Sequence, residues 1–391
     1  FAVESNAYVV GTMLDRAQEL GVGSVRLHRL HWRKIQPTEQ SGYDWSAMSD
    51  FEDELRALAG VGISPIVIVH HSPRWATIEA TSCGAIRRDK FGTFAAFRAA
   101  AVNRYKDPQF NVHHWELGNE PDVDPSLVIR DSVFGCWGDT NDPYYGGRYY
   151  GEMLKAVSPA IRSADPQAKI LIGGLLLDKP LSLDPGPNKP SLLLKGIFAS
   201  GAAPHLDIVP YPAYPVYDGL RVDYDLQAPT WAPWGGWTLG KARYLRQMMD
   251  QYDVDKPVFL DETALGCSSK SYTCDPPPDD FFQAQADYVG RTFTRAQSEK
   301  IGGLTWYTLN GPGWRYGGLL TSSGEPRPAF TAYKNLATRL ALTKYEGTAD
   351  YGSAIEGYSF AKANARVHVV WSKDTEADSI WVSRYLLLTV H

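Results

Sequence analysis

Trp115-Glu116-Leu117-Gly118-Asn119-Glu120-Pro121-Asp122 is the stretch on which the reading of this chain turns. Val112 to Leu117 is rich in apolar residues, and Gly118 to Asp122 are turn formers, so the segment reads as a strand that runs into a loop acid. A second stretch, Pro257-Val258-Phe259-Leu260-Asp261-Glu262-Thr263, repeats that grammar. Acids at the carboxyl ends of buried strands sit where barrel enzymes keep their reactive groups. A lone Asn-Glu-Pro says little, since those residues also serve turn geometry. Two strand-end acids say much more.

Outward from these two points, strand and helix signals alternate over the first ~335 residues, as an α/β barrel requires. Strands are expected at Ser24–His28, Ser64–Val69, Val112–Gly118, Lys169–Leu176, Leu206–Pro210, Pro257–Leu260 and Gly303–Leu309. Helical spacing of Trp45, Met48, Phe51, Leu55 and Leu58 predicts a helix over Trp45–Leu58, and Phe91–Tyr105 predicts another. The eighth strand must lie at or before Phe1–Glu4, just upstream of a helix that includes Tyr8–Leu20. The expected fold is therefore a (β/α)8 TIM barrel over residues 1–340. A doubly wound sheet is the alternative, but no Gly-x-Gly-x-x-Gly follows any strand. Beyond Leu340 the helices stop. Ile355–Phe360, Arg366–Trp371 and Ser379–Val390 read as strands, so residues 341–391 are expected to form a β-rich appendage. Some fifty residues are few for an independent sandwich, which leaves a small sheet on the barrel or the start of a larger one.

Composition narrows the class. At 391 residues with a net charge of −5, the chain gives no reason to expect nucleic acid or an anionic membrane as partner. No apolar run approaches the roughly 18 residues of a membrane span. Phe1 does not open a charged and then apolar leader, although a removed leader leaves no trace. Four cysteines allow three pairings. Cys267 and Cys274 share one loop, while Cys83 and Cys136 lie in loops after neighbouring strands, which favours 83–136 and 267–274. That pairing implies an oxidising, secreted or extracytoplasmic setting. Unpaired thiols are the alternative; zinc lacks a Cys-x-x-Cys or a nearby His.

Taken in order, the landmarks of this chain resemble clan A of the retaining glycoside hydrolases. They are Ser24-Val25-Arg26-Leu27-His28, Trp32-x-x-Ile35-x-Pro37, Gly42-Tyr43-Asp44-Trp45, Gly62-Ile63-Ser64-Pro65 and Pro73-Arg74-Trp75. Asn119-Glu120-Pro121, Leu260-Asp261-Glu262, Trp306 and Pro326-Arg327-Pro328-Ala329 complete the set. The Arg-x-His pair and the β-rich tail are most similar to family 39 and its β-xylosidase-like members. The resemblance implies a cofactor-free glycosidase that cleaves a glycan or glycoside at a β-type bond. Glu120 would be the general acid/base and Glu262 the nucleophile, as double displacement requires. It also implies that Arg26 and Tyr214 hold the nucleophile, Asn119 binds the sugar 2-hydroxyl, and Trp306 floors the sugar site. His28, His71 and Trp314 are further candidate sugar contacts. Asn119 and Glu120 can share one face only if the strand bends or bulges before Pro121.

Two departures stand out. Pro212 occupies the place where the clan commonly shows a His, two residues before Tyr214, and Gly118 replaces a frequent aromatic. Rival acids are also close: Glu116 reads as a satisfied core carboxylate, Asp122 as a loop residue, and Asp261 as a hydrogen-bonding neighbour or an alternative nucleophile. His28, His31, His70 and His71 leave open a metal-dependent hydrolase, and Pro212 leaves open an inactive carbohydrate-binding barrel. His113 and His114 read as packing and cap residues. Aromatics crowd two segments: Tyr217, Tyr224, Trp231, Trp234 and Trp237, and Trp137, Tyr144 and Tyr145. Such rings suit either a glycan cleft or the closing of the barrel top.

Overall fold

The structure is a computed structural model that describes residues 1–79, 81–129, 132–267, 274–363, 365–373 and 387–390, with backbone alone at His70 and 387–390. Eight parallel strands alternate with helices. The strands are β1 (Ala2–Glu4), β2 (Ser24–His31), β3 (Ser64–His70), β4 (His114–Leu117), β5 (Lys169–Ile172), β6 (Val209–Ala213), β7 (Val258–Thr263) and β8 (Leu304–Tyr307). Between and after them run α1 (Met13–Leu20), the one-turn α2 (Trp32–Ile35), α3 (Ser49–Gly60), α4 (Phe91–Tyr105) and α5 (Gly147–Ala164). The second half adds α6 (Leu193–Ala199), α7 (Trp237–Asp250), α8 (Asp279–Ser298) and α9 (Pro328–Leu340).

The sheet order is β5-β4-β3-β2-β1-β8-β7-β6. Its two edges meet through a bridge between Leu171 and Ile208 and through the Asp207 amide, which donates to Ile170 O at 2.8 Å. That closes a TIM barrel. The missing first strand is β1, three residues long, fastened to β2 on one side and β8 on the other.

Each strand turns one face to the helices and one to the barrel axis. On β2, Val25 and Leu27 are buried against the helices, while Arg26 between them faces inward among carboxylates. Helix α3 buries Phe51, Leu55 and Leu58 at helical spacing, and Trp45–Met48 before it winds as a separate 3-10 turn capped by Asp44. Helix α1 is shorter than expected at its start and ends on Gly21, whose φ of 73° and N–H bonds to Ala17 and Gln18 carbonyls terminate it. Pro328 opens α9 at a position that needs no amide hydrogen.

After α9 a second sheet runs β9 (Lys344–Thr348), β10 (Ile355–Lys362), β11 (Ala365–Ser372) and β12 (Leu387–Val390), in spatial order β12-β11-β10-β9. The first three are antiparallel neighbours, and β12 lies parallel to β11. The expected strand over Ser379–Val390 is described only as β12; the rest of it lies outside the described residues. Disulfides join Cys83 to Cys136 and Cys267 to Cys274, with Cα–Cα distances of 5.8 and 5.5 Å. No helix among the described residues is long and apolar enough to cross a membrane.

Candidate active site

Arg26 organises the carboxyl end of the barrel. It is fully buried, and its guanidinium is used on every side. Nε and Nη2 donate to the two oxygens of Glu116 at 2.8 and 2.7 Å. Nη2 also donates to Asn119 Oδ1 at 2.9 Å, and Asp261 stands 3.5 Å from it. Nη1 donates to Glu4 at 3.3 Å and to Glu262. A rigid fork of five donors can serve this many acceptors; a lysine ammonium has three. Glu116 is thus a satisfied core carboxylate, which also accepts from the Gly174 amide at 3.3 Å.

Backbone irregularities bring the acids together. Parallel pairing sets Glu4 level with Arg26. On β7, Leu260 pairs with Tyr211 and Glu262 with Pro212, so Asp261 is an extra residue in the ladder. That bulge lets Asp261 and Glu262, neighbours in sequence, both reach Arg26. Gly174 leaves the room Asp261 needs: a Cβ there would lie 1.9 Å from Asp261 Oδ2. Strand β4 solves the same problem differently. It stops at Leu117, and positive φ values at Gly118 (106°) and Glu120 (42°) turn the chain, so of the expected bend or bulge before Pro121 it is a left-handed bend that forms. Asp122 anchors that turn, accepting from the Leu176 and Leu177 amides at 2.7 and 2.9 Å.

The two strand-end acids sit in opposite surroundings. Glu262 accepts from Arg26 and from the Tyr214 hydroxyl, with His28 Nε2 3.8 Å away. Burial, with the Glu262 charge beside it, keeps Tyr214 protonated far above neutrality, so it remains a donor. Glu120 is pushed up to about 8, first by burial and then by the negative charges of Glu262 and Asp122, with Arg26 and Lys241 pulling the other way. Asp261 is also held well above the usual carboxylate range, by burial first and by three neighbouring acids, against the opposing pull of Arg26. A carboxyl that stays protonated is a poor nucleophile. Lys241 on α7 is fully buried; burial pushes it down to about 8 while its ammonium holds the Leu176 and Pro212 carbonyls at 2.5 and 2.9 Å.

Several expected contacts fall elsewhere. Trp306 is not the floor of the site: it is fully buried, its indole N–H donates to Gly317 O at 2.8 Å, and its ring lies 6.0 Å from Tyr288 of α8. The next residue takes the inward position. Tyr307 is level with Glu4 and packs edge-on to Tyr214 at 6.1 Å. Trp314 is 47% exposed and stands 5.1 Å from Tyr214 on the other side. His28 joins the cluster through Arg26 at 2.9 Å and Glu4 at 3.2 Å. His71 borders a small pocket together with Asn119, and its ring packs on His31 at 4.2 Å. Burial and His71 lower His31 to about 3. The His70 side chain lies outside the described residues. His113 bonds Asp165 at 2.7 Å, a structural pairing. Tyr217, Tyr224, Trp231 and Tyr145 are buried, so they close the barrel top rather than line a cleft, while Trp137, also buried, borders a pocket with Asn119.

Among the described residues, Glu4, His28 and Glu262 converge as a metal site would, their ligand atoms within 4.8 Å of one another. Arg26 Nη1 contacts all three, so a cation already holds that centre. Sequence reading did not single out Glu4 or Tyr307. A three-residue strand has no legible parity, and on the last strand the family resemblance rests on Trp306 rather than Tyr307.

Residues 3–190 match the family model described as cellulase (glycosyl hydrolase family 5). That span contains β2 to β5, most of β1, and Glu120, but ends before Glu262. No curated protein matches the chain. Among solved structures, a family 39 glycoside hydrolase from Bacteroides cellulosilyticus shares 17% identity at a TM-score of 0.66, covering 95% of this chain and 70% of that one. A family 39 enzyme from Xanthomonas axonopodis pv. citri shares 18% identity at 0.64, covering 97% and 73%. A family 39 β-xylosidase from Caulobacter crescentus shares 16% at 0.58, covering 94% and 75%. Just under half of the chain thus matches a glycoside hydrolase family model, and the barrel as a whole is similar in fold to family 39 enzymes.

Proposed function

We propose that the protein hydrolyses β-type O-glycosidic bonds of a carbohydrate with retention of configuration, Glu262 acting as nucleophile and Glu120 as acid/base. The observation that carries this reading is the contrast between the two acids. Glu262 accepts from the Arg26 guanidinium and the Tyr214 hydroxyl, whereas burial and the charge of Glu262 keep Glu120 protonated near neutral pH. In the first step Glu120 gives its proton to the leaving oxygen while a Glu262 oxygen bonds to the anomeric carbon. In the second, Glu120 takes a proton from water, which displaces Glu262. Asn119, oriented by Arg26, is placed to bond the 2-hydroxyl, and Tyr307 and Trp314 supply rings for sugar C–H faces.

We assign this chemistry to residues 1–340 and regard 341–391 as an appendage to it. The two disulfides support an extracytoplasmic setting. The test is a screen of aryl glycosides and polysaccharides followed by two substitutions. Glu262→Ala should abolish turnover of every substrate. Glu120→Ala should slow substrates with poor leaving groups about 100- to 10,000-fold and dinitrophenyl glycosides far less. Sugar binding without turnover by the native chain would favour an inactive binding barrel instead.

A further inference from the structure

Large exposed aliphatic side chains concentrate at one end of this barrel. Ile78 is 58% exposed on the loop after β3, and Leu127 and Ile129 are 57% and 71% exposed on the loop after β4. Between those loops runs an open groove of about 960 Å³, whose apolar lining includes Ile78, Val128, Ile129, Trp137 and Tyr149 and whose polar lining includes Glu79, Arg88, Asp139 and Asp142. Several polar groups at its rim are already engaged. Asp139 caps the Asn141 amide, Asp142 caps Tyr144 and Gly146, and Arg88 pairs with Glu152 while lying over the Tyr149 ring.

The groove adjoins a smaller pocket at the catalytic end. Trp137 and the Cys83–Cys136 disulfide line both it and the smaller pocket that reaches Gly118 and Asn119. The loop that forms one wall begins directly after Glu120 and is pinned to it: the Gly135 amide donates to Asn119 O and the Val123 amide to Glu120 O, both at 3.1 Å.

We propose that the groove binds an apolar aglycone, an alkyl or acyl chain on the leaving group of the glycoside, so that the substrate class is that of amphiphilic glycosides. This rests on the glycosidase reading above. Aliphatic walls with engaged polar neighbours offer little to a hydroxyl-rich sugar chain, whereas they gain from each methylene removed from water. The carbohydrate end would lie at Glu120 and Glu262 and the chain would run between the loops after β3 and β4.

The experiment compares methyl, butyl, hexyl and octyl β-glycosides of one sugar, by calorimetric binding and by kcat/KM, in the native protein and in Ile78→Ser/Ile129→Ser. Affinity should rise about twofold or more per methylene, about 100-fold from methyl to octyl, and the double variant should flatten that slope. Equal affinity for the methyl and octyl glycosides, or an unchanged slope in the double variant, overturns the proposal. Turnover that ignores chain length leaves the glycosidase reading standing and this one refuted. Chain-length-dependent binding without turnover does the reverse.

Discussion

Glu120 shows how much one residue's surroundings decide. Its carboxyl must be protonated to act as the acid, and burial with the Glu262 and Asp122 charges holds it so up to about pH 8. The kcat/KM profile should therefore fall above about pH 8 rather than above the 4 to 5 of an ordinary glutamate. The neighbours predict opposite shifts. Lys241→Met removes a positive charge that lowers Glu120, so the alkaline limb should move up; Asp122→Asn removes a negative charge that raises it, so the limb should move down. Both limbs moving the same way, or neither moving, would show that the profile belongs to another group. Residue types were legible here, but residue placement was only partly so. Asn-Glu-Pro and Leu-Asp-Glu marked both acids because they end apolar runs. The resemblance points to Trp306, but four residues of β8 carry no clear alternation that would show Tyr307 to be the inward one. Lys241 went unremarked because a lysine on a helix ordinarily faces water, and nothing local announces that this one points into the barrel.

Elements were easier to see than the irregularities that aim their side chains. Helix α4 spans the residues its periodicity predicted, while the strands shifted by up to a few residues because parallel strands buried on both faces give continuous apolar runs with blurred ends. The bulge at Asp261 and the left-handed turn at Glu120 are consequences of pairing and packing across the barrel, which a single segment does not reveal. One coupling between elements carries its own prediction. Arg295 of α8 is buried and forks onto Glu356 of β10 at 2.8 and 2.7 Å, while also bonding Asp223, in the loop after β6, at 2.7 Å. It ties the small sheet and the loop downstream of Tyr214 to one helix. Arg295→Met should strand both acids and destabilise the fold by about 3 kcal/mol, read by chemical denaturation. Burial alone would raise Asp223 and Glu356, but Arg295 outweighs it and holds both below the usual carboxylate range. Their contribution is thus present above about pH 4 and fades as pH falls through the lowered values. The native protein should lose this increment in acid, and Arg295→Met should have little of it left to lose. Equal acid sensitivity in both would contradict the coupling.

At the scale of the molecule, eight short strands place Glu4, Arg26, Glu116, Glu120, Asp261 and Glu262 at one end of a barrel whose outer faces are all committed to packing. Fold class followed from the alternation of elements, and the proposed chemistry rests on two strand ends; the sugar and its aglycone depend on loops whose shape local sequence does not dictate. The central claim is that Glu262 forms the glycosyl–enzyme bond and Glu120 assists its making and breaking. Glu120→Ala, given an activated aryl glycoside and azide, tests it most directly. Azide needs no general base, so it should replace water at the anomeric carbon of the intermediate held on Glu262 and restore turnover. The account predicts a glycosyl azide with the same anomeric configuration as the substrate, read by proton NMR. An azide product of inverted configuration from this variant would contradict the account, because it would place the nucleophile at position 120.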